Sequence, residues 1–244
     1  MPYRRLPNTD IARLRALKIA YIKGKEIPPF KLAYSSATYT KVQAFLPLFE
    51  HTLVVHKSAY TNQVAKSKDY IALMKKAKLY ISHFIQVVNM AIQRGDMPVA
   101  VKTFYGLEDY DNKVPQLNTE SDLLKWGEAI INGEADRTRK GMLPVSNPTI
   151  ALVKVRFENF KEAYNFQKTL QKNNNRTLQD LAKMRNDADL LIAKLWDEIE
   201  ASYNQLPDEV KREQAKEYGV IYVFRKNEIR HISVREDSFE EVNQ

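Results

Sequence analysis

The chain has four histidines, and the acids near them are the first places to look for chemistry. His51 and His56 stand five apart, on different faces of any helix, whereas a zinc-binding pair on one helical face needs a spacing of four. The only Glu-x-x-His is Glu228 to His231, in a β-prone stretch, so the paired motif of a di-metal bundle is missing. Glu108, Asp109 and Asp111 cluster in one loop, but their spacing and the absence of the loop glycine do not match a calcium hand. With no cysteine there is no disulfide, thiolate metal site or cysteine nucleophile. Neither a glycine-rich phosphate loop nor a Gly-x-Ser-x-Gly elbow occurs. These patterns assign no catalytic residue, no metal and no cofactor, and point to a protein that is not an enzyme.

Two candidates remain. The first is His83, the single histidine of KLYISHFIQVVNMAI (78–92), which lies inside a wide apolar arc beside Leu79, Val87 and Met90. It is expected to be largely buried with a hydrogen-bond partner. It is also the one candidate for contacting a small molecule in a bundle interior, where cavities between helices are common sites. The second is a basic arm, Arg4, Arg5, Arg13, Arg15, Lys18 and Lys25, suited to tracking the phosphate backbone of a nucleic acid. No helix-turn-helix, zinc finger or aromatic sheet platform accompanies it, so such binding would be weakly specific and strongly salt-dependent. Trp126 and Trp196 sit among apolar neighbours and read as core anchors.

The charge layout gives this arm its context. The net charge is +8, yet residues 1–94 carry +12 and the remaining 150 residues carry −4. Such asymmetry either steers a polyanion to one end or is neutralised where the two parts of the fold meet. The amino-terminal residues MPYRRLPNTD lack a signal-peptide core, and no apolar run approaches a membrane span, so an intracellular, cytoplasmic protein is expected. At 244 residues the chain can bury roughly 70 to 75% of its unfolded surface without staples.

The elements that must position these residues are helical. Seven glycines in 244 residues imply few turns and long helices. Asn8, Thr9 and Asp10 can cap a first helix ending near Gly24, and Pro28 and Pro29 stop it. From Val42 the apolar residues step by four and three through Leu46, Phe49, Leu53, His56, Tyr60, Gln63, Ser67, Tyr70, Met74, Ala77, Ile81, Phe84, Val88 and Ala91. This is a heptad seam with a polar middle. After the loop at 95–118, Thr119 with Asp122 forms a capping-box pattern for a short amphipathic helix ending near Arg139. Asn147 and Pro148 are expected to open the next helix, as cap and first residue.

A shift of 111 residues lays a second seam, Val153 to Ser202, step for step on the first, with eight identities over 51 positions. An internal duplication is expected on this pattern. Each segment either folds back at its polar middle, near Gln63 to Lys68 and Asn173 to Asn175, or runs straight through as one long helix. A short charged helix follows at 208–218, then VIYVF (220–224) and RHISV (230–234), expected to form a β-hairpin before an acidic tail.

The runs MPYRRLPNTD, KAKLYISHFIQVVNMAI, NPTIALVKVRF and EYGVIYVFR together resemble a family of bacterial helical proteins without an assigned function. The resemblance implies a bacterial intracellular protein with a shared helical fold and carries over no site residue. The expected architecture is all-α: an antiparallel bundle of long helices with two similar halves and a small C-terminal β-hairpin, in a single helical domain. Its segments are a basic N-terminal helix and linker (1–34), a first long segment (35–94), loops with a short helix (95–147), a second long segment (148–205), and a short helix, hairpin and acidic tail (206–244). The expected function is a non-catalytic interaction or scaffold protein with a protein partner or self-association. The alternatives are nucleic-acid binding through the basic third and a small molecule held in the bundle.

Overall fold

A computed structural model describes residues 2–225 of the chain. In order, the elements are β1 (Tyr3–Arg4), α1 (Asp10–Glu26), α2 (Ser36–Gln93), α3 (Lys102–Tyr105), α4 (Glu120–Arg139), α5 (Ile150–Ser202), α6 (Asp208–Glu217) and β2 (Tyr222–Val223), with single 3-10 turns before α2 and α3. The all-α class expected from the periodicity is observed. Both long segments run straight through their polar middles, α2 over 58 residues and α5 over 53. Helical phase is kept across Gln63 to Lys68 and across the three asparagines, and weak local propensity does not outweigh a seam that stays packed on either side.

The chain divides into two compact units, one built from Met1–Ser58 with Asn175–Gln244 and the other from Ala59–Asn174. Both boundaries fall in the polar middles of the seams. The similar sequence segments are therefore not the compact units, because each long helix gives one half to each unit.

In the first unit the apolar seam residues Val42, Leu46 and Phe49 of α2 and Leu181, Ala188, Ile192, Leu195 and Ile199 of α5 are buried, together with Ala16, Leu17 and Ala20 of α1. Thr9 caps α1 by accepting from the Ala12 N–H. Paired charges dock this helix on α5. Asp10 accepts from Arg185 Nε and a terminal nitrogen, both at 2.7 Å, and Arg13 donates to both Asp189 oxygens at 2.7 and 2.9 Å. At the seam's polar centre His56 Nδ1 lies 3.3 Å from the Thr177 hydroxyl. The strand expected at 220–224 forms, and its partner among the described residues is Tyr3–Arg4, antiparallel, with Tyr3 opposite Val223. The second expected strand, 230–234, the Glu-x-x-His at 228–231 and the acidic tail lie outside the described residues.

In the second unit Tyr70, Ala77, Ile81, Phe84, Ile85 and Val88 of α2 pack with Val153, Phe157 and Phe160 of α5 and with Leu123, Trp126 and Ile130 of α4. Tyr70 stacks on Phe160 at 6.2 Å between ring centroids. The capping box at α4 is present, with both Thr119 and Asp122 bonds made. Helix α5 begins later than expected. Residues 146–149 close a bridge between Ser146 and Thr149, and the Thr149 hydroxyl accepts from the Leu152 N–H at 3.4 Å, so Thr149 rather than Asn147 caps the helix.

Two glycines permit close approach in this unit. A Cβ on Gly127 would lie 2.2 Å from the Phe157 ring, and one on Gly133 would lie 2.2 Å from the Phe104 carbonyl oxygen. Backbone cannot swing aside as a ring can. Gly133→Ala is therefore expected to lower stability by about 1 to 3 kcal/mol despite the better helix propensity of alanine, read as a reduced urea midpoint at unchanged m-value.

Candidate functional site

Helices α2 and α5 carry more apolar residues in the first unit than their seams can bury. Phe45 and Leu48 each precede a seam residue, Leu46 and Phe49, by one place, and Leu190 and Leu191 precede Ile192. They flank the core rather than fill it. The result is an open groove of about 530 Å³ lined by Lys41, Ala44, Phe45, Leu48, Asp187, Leu190, Leu191 and Lys194. Its base is braced by Phe45 stacked on Phe49, at 5.8 Å between centroids. Leu48 is 61% exposed and Leu190 71% exposed, so two large apolar side chains stand in solvent at the groove. Lys41 has no ion pair among the described residues, and Lys194 lies 3.8 Å from Glu198. Asp187 is the one acid of the lining.

A separate charged cluster lies buried in the second unit. Glu134 is fully buried and Arg137 almost so, three residues apart on α4. Arg137 Nε and a terminal nitrogen donate to the two Glu134 oxygens at 2.8 and 2.9 Å, and the second nitrogen also donates to the Leu143 carbonyl at 2.8 Å. The Tyr105 hydroxyl donates to Glu134, and the Val145 N–H reaches it at 2.9 Å. Burial alone would push the Glu134 carboxyl up; the bonds from Arg137, Tyr105 and Val145 outweigh it and hold its pKa below the ordinary glutamate value. Tyr105 is raised by burial and then by its bond to Glu134. Every polar atom of the Glu134 carboxylate is engaged within the fold, so the cluster ties α3, α4 and the 143–145 segment together and leaves no oxygen for a substrate. The sequence signal for it was an opposite-charge pair at 134 and 137, in step with Leu123, Trp126 and Ile130 on the buried side of α4.

The residues singled out from sequence are placed as follows. Arg4 pairs with Asp197 at 2.7 Å and Glu200 at 3.0 Å, Arg13 with Asp189, and Lys18 with Glu50 at 2.7 Å. Lys25 lies over the Tyr21 ring at 4.6 Å. Arg5 and Arg15 are exposed, and Arg5 uses its backbone N–H to bond the Ile221 carbonyl at 2.9 Å. Half of the basic arm is therefore paired with carboxylates of the fold. His83 is exposed, contrary to the expectation of burial. The apolar arc of its helix is wider than its neighbours cover, which leaves Leu79, His83 and Met90 outside. Asn89 on the same helix is buried, and neither amide atom has a hydrogen-bond partner among the described residues. Among the described residues no group of three or more His, Cys, Asp or Glu is arranged to hold a metal, and no helix is long and apolar enough to cross a membrane.

Comparison with protein-family models, with curated proteins and with solved structures finds no match.

The depressed pKa of Glu134 has a direction in pH. Its contribution is fully present above the unfolded glutamate value of about 4.3 and is lost as pH falls through the lower folded value. Glu134→Gln leaves Arg137 buried without its counter-charge and is expected to cost about 3 kcal/mol at neutral pH. The gap in urea midpoint between the native chain and this variant should then narrow as pH is lowered below about 4.3.

Proposed function

We propose that the protein is a non-catalytic interaction protein of the bacterial cytoplasm, and that the groove of its first unit docks an amphipathic helix of a partner protein. The observation that carries this reading is the exposure of Leu48 and Leu190 in one groove. An isolated surface leucine needs no explanation, but two beside Phe45 and Leu191 form a continuous apolar strip between two helices, the shape that a third helix fills. Covering the exposed parts of Leu48 and Leu190 would contribute about 1 to 2 kcal/mol each. Lys41 and Lys194 stand in the lining from opposite helices, against a single Asp187, so the charge that complements the groove is acidic. The occupant is accordingly a helix with apolar residues at i, i+3, i+4 and i+7 and Asp or Glu on its flanks.

The pairing of Arg4, Arg13 and Lys18 with acids of the fold removes support for a nucleic-acid site on the amino-terminal arm. The exposure of His83 likewise removes support for a ligand held against it in the bundle interior.

A photoreactive phenylalanine analogue placed at Leu190 of the intact chain in living cells tests the reading, with the same analogue at exposed Leu143 as control. The expected product is a crosslink, absent from the control, that maps by mass spectrometry to a helical segment with acidic flanks and disappears in Lys41→Glu/Lys194→Glu. Leu48→Asp should abolish it too while shifting stability by no more than about 0.5 kcal/mol, as for other exposed positions. No crosslink above control, or one to a segment without acidic flanks, overturns the reading.

A further inference from the structure

A run of unpaired positive charge lies on α2 within the second unit. Residues 59–78 contain five lysines, Lys66, Lys68, Lys75, Lys76 and Lys78, against one acid, Asp69. All five are exposed. Lys78 donates to Asn118 at 3.0 Å, and none of the other four has an ion-pair or ring partner among the described residues. The contrast within this unit is direct. Lys161 and Lys168 of α5 are answered by Glu128 at 2.8 Å and Glu120 at 2.9 Å, whereas those acids of α4 leave the α2 lysines unanswered.

The placement follows from helical phase. Gln63, Ser67, Tyr70, Met74 and Ala77 form the seam, so Ala65, Lys68, Ala72, Lys75, Lys76 and Leu79 fall on the opposite, solvent side, whereas Lys66 and Lys78 fall on the two flanks nearer the seam. Alanines occupy the crest, and lysines stand beside them. From Lys68 to Lys76 the rise along the axis is roughly 12 Å, a length over which duplex DNA presents about seven phosphates. A rod of flexible ammonium groups on a low crest can approach a phosphate backbone closely without reading its bases.

We infer that this face of α2 binds the phosphate backbone of nucleic acid without sequence preference. It is a second surface, independent of the proposed groove. A bilayer fits less well, because a surface-lying helix needs a continuous apolar band beside its cations. Here Leu79 is the only large apolar residue of the crest, with Val64 and Ile71 half-exposed on one flank.

The test is fluorescence anisotropy of a labelled random-sequence 20-base-pair duplex with the intact chain, read at 50 and 200 mM NaCl. If Lys68, Lys75 and Lys76 each displace about one counterion, the affinity should fall about 40-fold between those salts. Lys68→Gln/Lys75→Gln/Lys76→Gln, all at exposed positions, should weaken binding at 50 mM at least tenfold with an unchanged thermal midpoint. The variant Arg5→Gln/Arg15→Gln/Lys25→Gln removes as much charge elsewhere and should stay within threefold of the native chain. No binding at 50 mM, binding indifferent to salt, or a larger loss from the second variant overturns the inference. So does tighter binding to phosphatidylserine vesicles than to the duplex, which would assign the face to a membrane surface.

Discussion

Burial along α2 and α5 is narrow: each long helix keeps one seam in phase from end to end, and a seam covers only part of a helix's circumference. Each flank must be covered by something else or left in water. In the first unit α1 covers one flank, held by the crossed pairs Asp10 with Arg185 and Arg13 with Asp189. In the second, α3, α4 and the loop between them do so, with Gly133 against the Phe104 backbone and Arg137 locked on Glu134. Among the surfaces left over are the groove at Leu48 and Leu190 and the lysine crest of α2.

The charge asymmetry resolves on the same principle. Acids of α5 meet Arg4 and Arg13 because β1 and α1 fold back on that helix, so the pairs act as docking contacts. Most of them are partly exposed and individually modest in energy, yet bidentate arginine geometry sets orientation as well as attraction. The lysines between 66 and 78 have no covering element with acids. They are one accessible part of the basic excess, which composition alone had placed no more closely than the first 94 residues.

Much of the fold was legible from local patterns. The Thr9 cap, the Thr119 and Asp122 box, the stops at Pro28 and Pro29, and nearly every apolar seam residue were visible because caps and periodicity are properties of neighbours in sequence. The continuity of the long helices was open, since three asparagines argued for a turn and unbroken phase argued against one. The site was less legible. Leu48 and Leu190 are ordinary leucines in sequence, and only their position one or two places from a seam residue hinted that they were surplus to the core. Glu134 and Arg137 look like a surface pair, and only their phase with Trp126 and Ile130 marks them as buried.

The amino-acid sequence by itself determined where the helices lie, the caps at Thr9 and Thr119 and the buried seam, because each depends on spacing over a few turns. It also determined the surplus of positive charge and the lack of cysteine chemistry. Tertiary structure decided which flanks are covered, and with that the exposure of His83, the burial of Asn89, the pairing of Tyr3–Arg4 with Tyr222–Val223, and the fate of each basic residue. Coverage depends on residues a hundred or more positions away. A helical wheel shows which side of a helix is apolar, and only the packed neighbours settle how much of that side is dry.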